Sequence, residues 1–143
     1  MKTAIVTITT GDRYAQMAEL THPTIKAYAA KINADFIDWR HFHPHTHPDF
    51  QKLEIKPLFE VEGYDRIAFI DADMIVRPDT PNLFEVVPRD HFAAFNEFPF
   101  KARLETMRQY LSGEQLRSWA DRKLYFNAGI FVCSVEHLSL IHI

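Results

Sequence analysis

The chain has 143 residues, with 16 Lys and Arg against 19 Asp and Glu, and a formal net charge of −3. Hydrophobic residues make up 47% of it and charged residues 24%, the balance of a folded globular domain, which argues against disorder. The mild acidity argues against a nucleic-acid-binding protein, which normally carries a strong basic excess.

Short apolar runs alternate with helical patterns along the chain. Residues 3–9 are a predicted strand, Thr10-Gly11-Asp12 is a turn with an N-cap candidate, and a helical pattern follows to Ile32, kinked or divided at Pro23. The later predicted strands are 34–39, 66–70, 92–95 and 126–133, and the later predicted helices are 51–61, 83–86, 102–111 and 112–123. Ser112 and Gln115 resemble a capping box at the start of the last of these helices. Because these strands are short apolar runs rather than alternations, we predict an α/β fold with a mostly parallel central sheet flanked by helices, in one domain spanning residues 1–143.

Two aspartates follow the apolar run that ends at Ile70. Asp71 and Asp73 flank the small Ala72 and lie where the carboxyl end of a buried strand is expected. Side chains two residues apart on an extended chain point the same way, so we expect the two carboxylates to converge. Converging carboxylates repel unless a cation lies between them, and Mn²⁺ or Mg²⁺ suits such oxygen ligands. The alternative is a structural pair of turn aspartates.

Two other segments could contact a ligand. The first predicted strand leads through Thr10 and Gly11 to Tyr14, which could stack on a nucleotide base or could instead pack in the core. In Phe126-Asn127-Ala128-Gly129, the Asn127 amide can hydrogen-bond hydroxyl groups beside small residues that leave space for a ligand. The alternative for this segment is an ordinary turn or bulge.

Read together, these three segments resemble the glycogenin-type glycosyltransferases of glycosyltransferase family 8, which have the GT-A fold. The resemblance covers residues 6–20, 51–85 and 126–138. It implies a metal-dependent, retaining transfer of a sugar from a nucleotide-sugar donor, UDP-linked in this family, to an acceptor hydroxyl on a glycan, lipid or protein.

The resemblance also assigns roles to individual residues. It places Lys52 and Asn127 near the donor sugar and makes Asp71 and Asp73 the metal pair. Gly11 stands where the family has Asn. The expected nucleotide-binding residues are Ile8, Thr10, Gly11, Tyr14, Asp71 and Ala72.

Part of the family pattern has no counterpart in this sequence. The later Asp-Gln motif, the third metal ligand (a histidine) and the phosphate-binding lysine would lie beyond Ile143. We therefore expect the sequence to be an incomplete fragment, inactive by itself, with little chain left to cover the apolar strand residues 130–132.

Other interpretations stay open. A strand followed by Asp-x-Asp also suits a haloacid-dehalogenase-type phosphatase, with Asp71 as nucleophile and Asp73 as acid and base. A non-catalytic nucleotide-sugar-binding remnant is a further alternative. The four alternating histidines of residues 41–47 suit an exposed loop more than a metal site. Apolar runs too short to cross a membrane, together with the single cysteine, Cys133, favour the cytoplasm, and the sequence indicates no oligomeric state.

Overall fold

The structure is a computed structural model, which describes residues 1–40, 51–52, 54–97, 105, 108–109, 112–121 and 126–138, without the side chains of 119–121. The histidine loop and most of the predicted helix 102–111 lie outside these residues. The described elements, in chain order, are β1 (Thr3–Ile8), α1 (Gly11–Lys31), β2 (Asp35–Trp39), α2 (Lys56–Glu60), β3 (Arg66–Ile70), α3 (Leu83–Val86), β4 (Ala93–Asn96), α4 (Gly113–Asp121), β5 (Phe126–Ser134) and a 3₁₀ turn (Val135–His137).

The five strands form one sheet in the order β2-β1-β3-β5-β4. β1 pairs in parallel with both β2 and β3, whereas β5 runs antiparallel to β3. The predicted α/β fold is confirmed. The sequence could not predict the direction of β5, because a short apolar run suits a parallel strand and an antiparallel strand equally well.

The core lies between the sheet and α1. Ile5 and Ala68 of the central strands pack there with Ile25 and Tyr28 of α1. Val132 of β5 belongs to the same cluster and is buried by packing within it. Phe131 is also buried, and its ring stacks on that of Phe69 with 5.2 Å between centroids. The expectation that residues 130–132 would lack cover is therefore wrong for Phe131 and Val132.

The chain divides into two compact units. The first comprises Met1–Ala93 and Gly129–Ile143, and the second comprises Ala94–Ala128. Within the second, the predicted capping box at the start of α4 is confirmed: Ser112 N donates to Gln115 Oε1 at 3.0 Å, and Gln115 N donates to Ser112 Oγ at 3.3 Å.

The helix α1 is one continuous element of 21 residues with Pro23 inside it. The predicted division at Pro23 is wrong, since the helix continues through this residue, which lies on the exposed side while the other side is held against the sheet. The predicted kink stays a prediction. The buried residues recur at helical spacing: Ala18, Thr21, His22, Ile25, Tyr28 and Ala29. Packing of this face offsets the backbone hydrogen bond that proline cannot make.

Two threonines of α1 hold the segment that follows β3. Thr21 Oγ1 donates to the carbonyl oxygen of Ala72 at 2.5 Å in a buried position. Thr24 Oγ1 accepts from Val76 N at 3.0 Å. The chain after β3 is thereby tied to the central helix at two points, and its conformation depends on α1.

The predicted helix 51–61 is much shorter than expected. Residues 51–52 form a 3₁₀ turn, and α2 spans only Lys56–Glu60, with Pro57 at its start. Pro57 lacks a backbone donor and is tolerated in the first helical turn but not further in. Pro57 therefore marks where the helix begins.

The described residues include no helix that is long and apolar enough to cross a membrane. Cys133 is buried in β5, and this burial raises the pKa of its thiol to about 12. The thiol therefore stays protonated at neutral pH and is inert, as its apolar sequence neighbours predict.

We expect Thr21→Val to lower the free energy of unfolding by about 1–2 kcal/mol, because it removes a buried hydrogen-bond donor and leaves the Ala72 carbonyl without it. Urea denaturation followed by circular dichroism measures this.

The matched control is Thr7→Val in β1. Thr7 is equally buried, but among the described residues its hydroxyl has no hydrogen-bond partner. Removing an unsatisfied hydroxyl should leave stability unchanged or raise it. Equal losses in the two variants would contradict the role given to Thr21.

Candidate functional site

A recess of about 90 Å³ opens at the edge of the sheet where β1 and β3 end. The described residues that line it are Ile8, Thr10, Tyr14, Lys52, Phe69, Asp71, Ala72 and Asp73. Seven of these eight residues were expected from the sequence or from the family resemblance, and Phe69 is the addition. Its ring lies within β3, and nothing in the sequence distinguished it from its apolar neighbours.

The strand register explains why these distant segments meet. β1 and β3 are parallel neighbours, with Val6 paired to Phe69. The same offset, continued two residues further, sets Ile8 level with Asp71. The strand order also changes direction at β1: the chain adds β2 on one side of β1 and then β3 on the other side. Ligands of open α/β sheets bind at such a switch point, outside the carboxyl ends of the strands.

The two aspartates reach the recess through a turn. Met74 N donates to the carbonyl oxygen of Asp71 at 3.1 Å, which closes a turn over residues 71–74. The expectation that the chain stays extended here is wrong. The two carboxylates therefore do not come together through the alternation of side chains along a strand. Asp71 and Asp73 still line one recess, because the turn folds Asp73 back and Thr21 fixes the carbonyl of Ala72 between them.

The backbone of Asp71 is also fixed from the other side. Its N–H donates to the carbonyl oxygen of Gly129 at 2.8 Å, one residue past the last register pair of β3 and β5. The glycine of the Phe-Asn-Ala-Gly segment therefore contacts the aspartate segment through the main chain. This contact lies within the first compact unit.

The start of α1 supplies another side of the recess. Thr10 is the N-cap residue, but its hydroxyl makes no cap hydrogen bond and donates instead to Gln51 Oε1 at 3.3 Å. Gln51 is almost fully buried. Gln51 was not among the expected site residues, because a single glutamine in the sequence carries no signal of its burial.

Gly11 begins α1 with φ of +78°, a conformation that glycine adopts without strain. Asparagine is among the few other residues that tolerate this region, so both residue types fit the position. Gly11 has open space around it and does not line the recess.

Tyr14 presents its ring at the recess. It lies on the first turns of α1 with 42% of its surface exposed, so the alternative of a core tyrosine is wrong. An exposed aromatic ring beside a polar recess can provide a flat face for stacking.

Lys52 brings a positive charge into the same recess. Its Nζ donates to Asp71 Oδ1 at 3.0 Å and lies 5.1 Å from the centre of the Phe69 ring. The side chain of Lys52 is 14% exposed and that of Asp71 is 37% exposed, so the pair is shielded on the lysine side. The described part of the recess thus includes two carboxylates and one ammonium group.

Asn127 belongs to the second compact unit. Its Nδ2 donates to Glu97 Oε1 at 2.5 Å. The expected contact of Asn127 with a donor sugar stays a prediction.

The donor set suits a hard cation, although it is small. Among the described residues no group of three or more His, Cys, Asp or Glu side chains is arranged to hold a metal ion. Asp71 and Asp73 contribute carboxylate oxygens at one recess, and Asp71 already attracts a cationic partner. Mg²⁺ and Mn²⁺ accept one or two carboxylates with water and phosphate oxygens completing the shell, so the two aspartates fit such an ion.

Comparison with known proteins agrees with this architecture. The profile of Glycosyl transferase family 8 matches residues 8–139. Among solved structures, the chain is similar to a crystal structure of a glycosyltransferase involved in the glycosylation of the major capsid of PBCV-1, with a TM-score of 0.64 and 14% sequence identity. The similarity covers 99% of this chain and 64% of that one. No curated protein matches the chain.

The structural similarity supports the GT-A type of fold for the sheet and its helices. The family profile spans both the tyrosine segment and the aspartate turn that meet at the recess. From the extent of this match, the chain belongs to glycosyl transferase family 8.

Proposed function

We propose that the chain forms the nucleotide-sugar-binding part of a metal-dependent glycosyltransferase that moves a sugar from a UDP-linked donor to an acceptor hydroxyl with retention of configuration. The observation that carries the proposal is the recess at the ends of β1 and β3, since its lining unites the tyrosine segment, Lys52 and the aspartate turn. Family membership supports the reaction type.

The size of the recess limits what it can enclose. At about 90 Å³ it is well below the ~300–1,000 Å³ of pockets that enclose a whole small ligand. It can therefore surround one part of a donor while the remainder lies outside the recess. We assign the nucleotide to the side formed by Ile8, Thr10 and Tyr14, with Gly11 beside Thr10 but outside the lining, and the diphosphate to the side formed by Asp71, Ala72 and Asp73.

Asp71 and Asp73 would hold Mn²⁺ or Mg²⁺, which when bound stabilises the diphosphate as a leaving group. Lys52 contributes positive charge at the same edge, close to where the donor sugar would begin. By family resemblance we assign Lys52 and Asn127 to the donor sugar, and we assign no catalytic residue. The acceptor class is a glycan, a lipid or a protein.

Family membership favours this reading over the phosphatase, which uses the same aspartates for a different reaction. A non-catalytic binder remains the second candidate, because it would use the same recess. Sugar transfer or donor hydrolysis separates the two, whereas phosphate release from a generic phosphomonoester would indicate the phosphatase. For the compartment we propose the cytoplasm, supported by the single, buried and unpaired cysteine.

Asp73→Asn should weaken Mn²⁺-dependent UDP binding at least about tenfold, since even outer-shell partners of metal ligands are worth about 10–100-fold in affinity. Isothermal calorimetry with UDP, with and without Mn²⁺, measures this. Asp73 is exposed, so the fold should persist.

The matched control is Asp79→Asn, which changes an exposed aspartate six residues further on, paired with Arg77 outside the recess. It should bind UDP like the unaltered chain. Unchanged Mn²⁺-dependent UDP affinity in Asp73→Asn would refute the metal assignment.

Tyr14→Ala should weaken UDP binding by about 1–3 kcal/mol, the range for stacking of a base on an aromatic side chain. Because Tyr14 is exposed, the melting temperature of the Tyr14→Ala protein should hardly differ from that of the unaltered chain. Tyr14→Phe retains the ring and should bind UDP nearly as well as the original chain. A lower melting temperature with unchanged UDP affinity would mean that Tyr14 has a structural role instead.

A further inference from the structure

Lys52 contacts an aspartate that is expected to hold a metal ion, and a role in donor binding alone does not explain this contact. One carboxylate expected to hold a divalent cation already has an ammonium group 3.0 Å from its Oδ1. Lys52 is held in place by this contact and by the ring of Phe69, and its side chain is 86% shielded from solvent. It is therefore part of the recess and not a passing surface contact.

The charges in the recess affect how a divalent cation can bind there. Among the described residues that line the recess, Asp71 and Asp73 bring two negative charges and Lys52 brings one positive charge. A divalent cation added at Asp71 would lie near an ammonium group of the same sign, and the two would repel across a partly shielded site. Adding a diphosphate at the same time supplies the missing negative charge, and both cations then have anionic partners.

We propose that Lys52 is the resident counter-ion of the aspartate pair, and that it makes binding of the divalent cation and of the nucleotide diphosphate depend on each other. Without a donor, Lys52 neutralises Asp71 and keeps the affinity for the free cation low. When the diphosphate arrives, its oxygens provide an alternative partner for the ammonium group, and Asp71 becomes available to the cation. This inference rests on the proposed function, since it assumes that the recess binds a metal and a nucleotide diphosphate.

The coupling has a thermodynamic consequence. If UDP raises the affinity for Mn²⁺ by some factor, Mn²⁺ must raise the affinity for UDP by the same factor. Removing the charge of Lys52 should strengthen cation binding in the absence of UDP and reduce that factor. A lysine that served only to contact the donor would not strengthen binding of the cation alone.

The experiment compares four proteins: the unaltered chain, Lys52→Met, Lys52→Arg and Lys56→Met. Free Mn²⁺ is measured by electron paramagnetic resonance in titrations with and without UDP, and the same titration without protein corrects for chelation of Mn²⁺ by UDP. Lys52→Met keeps the length and apolar stem of the side chain, and Lys52→Arg keeps its charge. Lys56 is the control: it lies in α2, pairs with Glu60 and does not line the recess.

In the unaltered chain we expect UDP to tighten Mn²⁺ binding by about tenfold or more, within the usual range of coupling between sites. Lys52→Met should bind Mn²⁺ alone several-fold more tightly and show a smaller effect of UDP. Lys52→Arg keeps the positive charge and should therefore not share the tighter binding of Mn²⁺ alone that Lys52→Met shows, and Lys56→Met should behave like the unaltered chain. Thermal unfolding by circular dichroism verifies each fold, and Lys52→Gln replaces Lys52→Met if that variant does not fold.

Two results would overturn the proposal, and they differ in meaning. If the unaltered chain binds Mn²⁺ and UDP but Lys52→Met binds Mn²⁺ alone no more tightly, Lys52 is not a counter-ion and the proposed function stands. If the unaltered chain binds Mn²⁺ neither alone nor with UDP, the proposed function fails and this inference fails with it.

Discussion

The parallel pairing of β1 with β3 is the constraint on which the candidate site depends. Its register sets the end of β1 level with the end of β3, so that Ile8 and Asp71 share one edge of the sheet although 63 residues separate them. Each strand then delivers a polar segment to that edge, Thr10 with Tyr14 from one and the aspartate turn from the other. A shift of register by one residue would turn one of these segments away from the recess.

The long helix α1 is the second determinant. Its buried face packs on the central strands, and the same face carries Thr21 and Thr24, which hold the chain after β3. The N-terminal end of the helix carries Tyr14 at the recess. One rigid element therefore positions the aromatic ring and the aspartate turn together. Loss of packing under α1 would loosen both, although none of the buried residues of α1 is among the described residues that line the recess.

Electrostatics gives the site its particular character. Two carboxylates placed at one recess would repel each other, and the nearby ammonium group of Lys52 reduces that repulsion in the free protein. The arrangement favours ligands that bring cations and anions together, as a metal-bound diphosphate does. This is why a recess with an ion pair already in it can still be a site for a divalent cation.

The sequence by itself determined the α/β class, the limits of β3 and α3, the capping box of α4 and seven residues that line the recess. It could do so because apolar runs, turn residues and Asp-x-Asp are local patterns, and because three motifs in fixed order resemble one family. Only the tertiary structure decided that β5 is antiparallel and buried, that α1 runs unbroken through Pro23, and that a turn rather than an extended chain brings Asp73 to the recess. The contacts of Gln51 with Thr10 and of Lys52 with Asp71 were likewise invisible, because they join residues 41 and 19 positions apart and depend on how separate elements pack.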